Sequence, residues 1–336
     1  LAVIDALYDA PEIDVVTARH EGGAGFMAVA DAKMTGKPGI IMVSRGPGAT
    51  NASIGIHVAQ QDAVPVVMFV GQVAREDIGR GAFQEVNYGR TFGDMAKWVV
   101  EITEADKVAE HVRRAFTIAQ SGVPGPVIVS LPEDMLLDQT NSPALGPTVI
   151  FQPKPNAEGI VDLCNMLAKA ERPLIIAGGQ IGGQMGRDAL RRVSESWNVP
   201  VATSWRHQDL FNVGHPNFAC HLAFNMPPIF KDTLNESDLI IAIGTRMGDV
   251  VTQGYQLPAA PKPKQKLVHI YNDAKPIGNV FDTDLAMIAD ATETLQAITL
   301  INSPDVPKGR AAWIKKAHAL GAEKMLWDTQ KADDGV

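Results

Sequence analysis

The chain has 336 residues, of which 46% are hydrophobic, 6% aromatic and 20% charged, and 30 Lys+Arg against 38 Asp+Glu leave a net charge of −8. That balance disfavours a broad affinity for nucleic acid or for an anionic membrane surface, and the apolar fraction is that of a folded globule. No run reaches the roughly 18 to 20 apolar residues of a membrane helix, and two cysteines, Cys164 and Cys220, are too few for a disulfide framework, which suits a reducing, cytoplasmic compartment.

Apolar residues at helical spacing open the chain over Leu1 to Ala10, with no charged segment ahead of them that would make a signal peptide. Short β-rich runs then alternate with helical patterns. A strand is expected at Ile13–Thr17, a helix at Glu21–Thr35, a strand at Gly39–Ser44, a helix at Thr50–Gln61 and a strand at Val64–Val70. An amphipathic helix at Ala105–Gln120 and a strand at Val127–Leu131 follow. Pro132 to Pro155 carries five prolines and little apolar periodicity, the clearest break in composition. Beyond it the alternation restarts: helix Glu158–Ala170, strand Leu174–Ala177, helix Asp188–Trp197, strands Val199–Thr203, Leu239–Ile243 and Lys266–Tyr271, helix Ala291–Leu300 and a last amphipathic helix Ala311–Trp327. Alternation of this kind predicts an α/β protein of two successive doubly wound parallel-sheet domains with helices on both faces. Residues 1–140 form the first domain, 141–156 a linker, 157–305 the second domain, and 306–336 a further helix and tail.

Glycine-rich turns after strands are where such folds bind phosphates, because bare backbone lets N–H groups approach an anion. Gly178-Gly-Gln-Ile-Gly-Gly-Gln-Met-Gly186 follows a strand, but no register of it gives G-x-G-x-x-G, and G-x-x-x-x-G-K-[ST] occurs nowhere. A nicotinamide-dependent Rossmann enzyme and a P-loop nucleotidase are therefore disfavoured; a tight strand-to-helix turn is the plain alternative. Ser44-Arg-Gly-Pro-Gly-Ala-Thr-Asn51 reads as a rigid turn in which Thr50 or Asn51 caps the next helix, at the carboxyl end of a strand. Arg19-His-Glu-Gly-Gly-Ala24 puts a carboxylate at a strand-to-helix junction, a position the helix dipole alone would explain for an isolated Glu.

Taken in order, Arg19-His-Glu-x-Gly-Ala, Gly46-Pro-Gly-Ala-Thr-Asn51, Val70-Gly-Gln-Val73, Ala82-Phe-Gln-Glu85 and Gly125-Pro-Val-x-Val-x-Leu-Pro-Glu-Asp134 resemble the pyrimidine-binding domain of thiamine diphosphate enzymes of the acetolactate synthase type. Ala177-Gly-Gly179, Ser237-Asp-Leu-Ile-Ile-Ala-Ile-Gly-Thr-Arg246 and His269-Ile270 extend the likeness into the family's central domain, so that it covers residues 1 to about 310. The resemblance implies that Glu21 is catalytic. A glutamate there hydrogen-bonds N1′ of the cofactor's aminopyrimidine, has a raised pKa against the heterocycle, and shares the proton whose movement activates the thiazolium. Gly46, Pro47, Gly48, Thr50, Asn51, Val70 and Gln72 would approach the same ring. Phe83, Gln84 and Lys97 match residues of the substrate channel, with a solvated surface lysine the alternative for Lys97. His20 is given no catalytic role.

The resemblance also implies decarboxylation of a 2-oxo acid and transfer to a second carbonyl compound, with simple decarboxylases and other carboligases as alternatives, and a homodimer or homotetramer. Flavin stays open: FAD would involve Gly178, Gly179 and Arg246, yet Val250 stands where a further arginine is expected. The family holds the diphosphate through Mg²⁺ at a Gly-Asp-Gly motif. No Gly-Asp-Gly occurs in this sequence, so no metal ligand is expected here, and the chain reads as two domains of a three-domain protein, inactive by itself, or else as a non-catalytic binding or regulatory module.

Overall fold

The computed structural model describes residues 2–224, 226, 228–303 and 306–325; the end of the terminal helix expected through Trp327, and the tail after it, lie outside the described residues. The chain divides into two compact units, Leu1–Phe151 and Gln152–Val336. The first contains α1 (Ala2–Tyr8), α2 (Glu21–Thr35), β1 (Gly39–Val43), α3 (Gly46–Gln61), β2 (Val66–Gln72), α4 (Tyr88–Phe92), β3 (Trp98–Glu101), α5 (Val108–Gln120) and β4 (Pro126–Pro132). Its strands form one parallel sheet in the order β1-β2-β4-β3.

β2 and β4 are central, and Val66, Val67, Met68, Val127, Ile128 and Val129 are fully buried, the near-continuous apolar run of a strand covered on both faces. α2 starts at His20, whose Nδ1 accepts the Gly22 N–H at 3.0 Å, and stops at Gly36, which takes the left-handed conformation (φ 71°) that a side chain would disfavour. The strand expected at Ile13–Thr17 is absent: the segment pairs with no other strand among the described residues, and Val15 and Val16 are exposed. β-branched composition favours a strand only where a ladder partner and a buried face exist, and here neither does.

The second unit contains α6 (Ala157–Lys169), β5 (Pro173–Ala177), α7 (Gly183–Ser196), β6 (Val201–Thr203), β7 (Phe218–His221), α8 (Pro228–Glu236), β8 (Leu239–Ile243), β9 (Lys266–Tyr271), β10 (Leu285–Ile288), α9 (Ala291–Thr299) and α10 (Arg310–Met325). All six strands are parallel, in the order β10-β9-β8-β5-β6-β7. Side-chain alternation along β5 divides two cores: Ile175 and Ala177 pack with α6, α7 and α9, while Leu174 and Ile176 face the layer that holds Leu234 of α8 and Ala317 of α10. Arg310 is fully buried and donates to the carbonyls of Leu167, Ala170 (3.0 Å) and Trp197 (2.6 Å), so one guanidinium satisfies the orphan acceptors at the ends of α6 and α7. Trp313 Nε1 donates to the Pro173 carbonyl at 2.8 Å and ties α10 to the start of β5. Among the described residues no helix is long and apolar enough to cross a membrane.

Candidate active site

α2 and α3 meet at a pair of glycines. A Cβ on Gly55 would lie 2.6 Å from the Gly25 Cα, and one on Gly25 would lie 3.0 Å from the Gly55 Cα, so only glycine permits this crossing. One turn before it on each helix stand Glu21 and Asn51, and the close approach joins them: Asn51 Nδ2 donates to Glu21 Oε2 at 3.1 Å. Gly48 lines the same spot, its absent Cβ leaving space beside Ser44 Oγ and Glu21 Oε1. The site is thus a carboxylate at the joined N-termini of two helices, where backbone N–H groups point outward.

Gly46-Pro-Gly48 is the first turn of α3 and not a turn ahead of it. Arg45 is the N-cap, Pro47 sits where a missing N–H costs nothing, and Thr50 does not cap but returns its hydroxyl to the Gly46 carbonyl at 2.7 Å. Glu21 is partly exposed, and its own backbone N–H, the Asn51 amide and, least, His20 hold its carboxyl below the usual glutamate range. The raised pKa expected from the sequence is therefore not a property of this unit by itself. It requires an apolar surface over the carboxylate to tip the balance toward the protonated form.

Val70 is buried in β2, so its side chain belongs to the core. Gln72, also buried, spends its amide within the fold: Nε2 donates to the Val86 carbonyl and to Glu101 Oε2, both at 3.0 Å, while Oε1 accepts the Val73 N–H. Ser130 joins Glu101 at 3.2 Å, and burial with the Glu101 charge pushes the Tyr88 phenol up to about 12. Phe83 and Gln84 do come to the site, because the Gly46 N–H at the start of α3 donates to the Gln84 carbonyl at 3.1 Å. Lys97 does not. It precedes β3 at the opposite, N-terminal edge of the parallel sheet, where its Nζ donates to the Ile118 and Ser121 carbonyls at 2.5 Å and closes the end of α5.

Three residues given no role in the sequence reading are prominent here. Arg45 pairs with Glu133 and donates to the Phe83 carbonyl, Glu85 accepts three backbone N–H groups, and Glu101 anchors Gln72. Glu85 closes the Ala82-Phe-Gln-Glu motif, which was the one signal available for it.

In the second unit the corresponding crevice lies outside the carboxyl ends of β5 and β8, the point where the strand order reverses. Two glycines let the chain pack closely beside it. A Cβ on Gly178 would lie 2.4 Å from the Gly244 carbonyl oxygen, and one on Gly179 would lie 2.3 Å from the His207 ring. Gln180 takes the next place, its N–H donating to the Gly244 carbonyl and its Oε1 accepting the Asn272 N–H, both at 3.1 Å. Arg246 is exposed, with its charge near the buried Tyr271. Gly178 and Gly179 are therefore close-packing positions, and the neighbouring Gln180 Nε2 and Asn272 Oδ1 are buried with no hydrogen-bond partner.

The comparisons with known proteins agree with this architecture. The family described as "Thiamine pyrophosphate enzyme, N-terminal TPP binding domain" matches residues 1–90, and "Thiamine pyrophosphate enzyme, central domain" matches residues 160–298. The chain belongs to the thiamine pyrophosphate enzyme family. It is 31% identical over 327 residues to the probable acetolactate synthase large subunit of Methanocaldococcus jannaschii, covering 95% of this chain and 55% of that protein. It is 32% identical over 311 residues to the acetolactate synthase large subunit of Lactococcus lactis, covering 90% and 53%. The chain spans about half the length of the curated relatives it matches.

Proposed function

We propose that the whole protein is a thiamine diphosphate-dependent enzyme that decarboxylates a 2-oxo acid and joins the remaining acyl unit to a second carbonyl compound. The observation that carries this reading is the Glu21 carboxylate, held by Asn51 at the joined N-termini of α2 and α3 with the Phe83–Gln84 turn beside it. The cofactor, when bound, supplies the electron sink that lets the carboxylate of a 2-oxo acid leave as carbon dioxide. Glu21 holds and returns a proton at the aminopyrimidine N1′. Asn51 orients its carboxylate, and Gly48 keeps side-chain bulk away. Gln72 acts from behind, pinning the segment that carries Val86. Aspartate at position 21 would fall a methylene short, and glutamine could not exchange the proton.

Mg²⁺ belongs to the same proposal through the diphosphate, and no residue of this chain is assigned to it. Flavin is not part of this proposal. Phe26, Met27 and Met34 of α2 and Ile54 of α3 are exposed apolar residues on the two helices that carry the site, which supports a homo-oligomer joined there. Cys164 and Cys220 are buried free thiols, which supports a reducing compartment.

The test is Glu21→Gln in the full-length protein supplied with thiamine diphosphate and Mg²⁺. Turnover of pyruvate should fall by about 100-fold or more, the range for loss of a positioned acid–base group, with the circular dichroism spectrum unchanged. Near-normal turnover in that variant contradicts the assignment.

A further inference from the structure

Phe83 combines two properties seldom found together: its side chain is 80% exposed, and the backbone beneath it is tied down on every side. The Gln84 carbonyl accepts the Gly46 N–H, the Phe83 carbonyl accepts from Arg45 Nη1 at 3.4 Å, and Arg45 is itself held by Glu133. Gln84 takes φ 65°, a left-handed conformation uncommon for a residue with a side chain and kept only where its surroundings enforce it. What enforces it is Glu85. Its Oε1 accepts the Gly79 N–H at 2.5 Å, and its Oε2 accepts the N–H groups of Gly81 (2.9 Å) and Ala82 (3.1 Å). Gly79 and Gly81 both have positive φ, 84° and 70°, which turns successive N–H groups inward on one carboxylate. The same bonds hold the Glu85 carboxyl below its usual range, consistent with an anion in place.

We infer that Glu85 is a positioning residue that folds residues 79–85 around its carboxylate and so presents Phe83 and Gln84, already ordered, to the acyl portion of the substrate. The inference rests on the functional reading above for the identity of what Phe83 and Gln84 meet, and on the structure alone for the anchoring. Ordering the turn in advance removes its conformational cost from the binding step, so the effect falls on substrate affinity more than on the chemical step. Glutamine cannot replace the anchor, because either orientation of its amide sets an NH₂ group against a backbone N–H donor.

The experiment pairs a binding readout with a structural one in the full-length protein. Arg80 lies between Gly79 and Gly81 with an exposed side chain, so trypsin cleavage after Arg80 reports opening of the turn. Glu85→Gln should speed that cleavage about 10-fold or more, the rate following the population of the open form. It should also raise KM for the 2-oxo acid about 5-fold or more with a smaller change in kcat. Glu85→Asp should recover part of both effects, and Phe83→Ala should raise KM while leaving the cleavage rate at the wild-type value. Unchanged cleavage in Glu85→Gln overturns the inference whether or not the protein is active. Faster cleavage with unchanged KM overturns the positioning role. A wild-type full-length protein without 2-oxo-acid turnover overturns the functional reading, and the cleavage assay still decides the anchoring.

Discussion

The two units are built from the same parts and use their glycines in opposite ways. In the first, Gly25 and Gly55 let two helices touch, and the touch brings a carboxylate and an amide together at an open edge of the sheet. In the second, Gly178 and Gly179 let the chain fold onto itself, so that the Gly244 carbonyl and the His207 ring pack against them. A glycine-rich turn at the carboxyl end of a parallel strand is thus compatible with either outcome. Which one holds depends on residues far away in sequence, Asn51 for the first and His207 for the second.

Substituting the glycines sharpens that contrast. The largest effect is expected from Gly55→Ala, because the new methyl meets the backbone of Gly25, which cannot step aside without moving α2 from α3. A loss of about 1–3 kcal/mol in urea unfolding of the first unit is expected, the range for overpacking a tight contact. The Glu21–Asn51 hydrogen bond should be lost with it, visible as a shift of the Asn51 side-chain amide resonances. Gly179→Ala is the smaller case. The three nearest atoms to its methyl all belong to an imidazole ring at the end of a rotatable side chain, and the backbone there needs no left-handed φ, so a cost below about 1 kcal/mol is expected once the ring turns away. A Gly179→Ala cost equal to that of Gly55→Ala would mean that His207 is as fixed as backbone, and the contrast between the units would fail.

The alternation of strands and helices was legible in the sequence because β2, β4, β5 and β8 are buried on both faces and carry near-continuous apolar runs. Short edge elements escaped it. β3, β7 and β10 are four residues each, and Trp98-Val-Val-Glu101 holds too few positions to show a period. The segment Ile13–Thr17 misled in the other direction, since β-branched residues signal a strand whether or not a partner is present. Glu21, Asn51, Phe83 and Gln84 could be named from ordered motifs. That Lys97 lies at the opposite edge of the sheet, bonded to the end of α5, was not legible, because a motif position does not say at which end of a sheet a residue falls. The role of Gln72 was equally hidden: its partners Val86 and Glu101 lie 14 and 29 residues away, and only the folded sheet brings them together.

The smallest expected effect separates the units by pH. In the second unit His269 is buried with Nε2 donating to the Thr245 carbonyl at 2.9 Å, and His221 is buried with Nδ1 3.1 Å from Thr203 Oγ1 and the His207 ring nearby. Burial lowers the pKa of both below 6.5. The unfolded chain then binds these protons more readily than the folded one, so their contribution to stability is present above pH 6.5 and is lost as pH falls through the lowered folded values. The first unit has lowered carboxylates instead, with Glu21 and Glu85 held below 4.5 and Asp134 below 3.8 by its bond to Arg75. Stability from these groups is present above their unfolded values and disappears only at more acid pH. Between pH 6.5 and 5, therefore, the urea midpoint reported by Trp197, Trp205 and Trp313 of the second unit should fall while that of the first unit stays level. His269→Gln, whose amide can still donate to the Thr245 carbonyl but cannot take up a proton, should flatten that fall. An unaltered pH profile in this variant would remove His269 as a source of the fall and leave His221 to account for it.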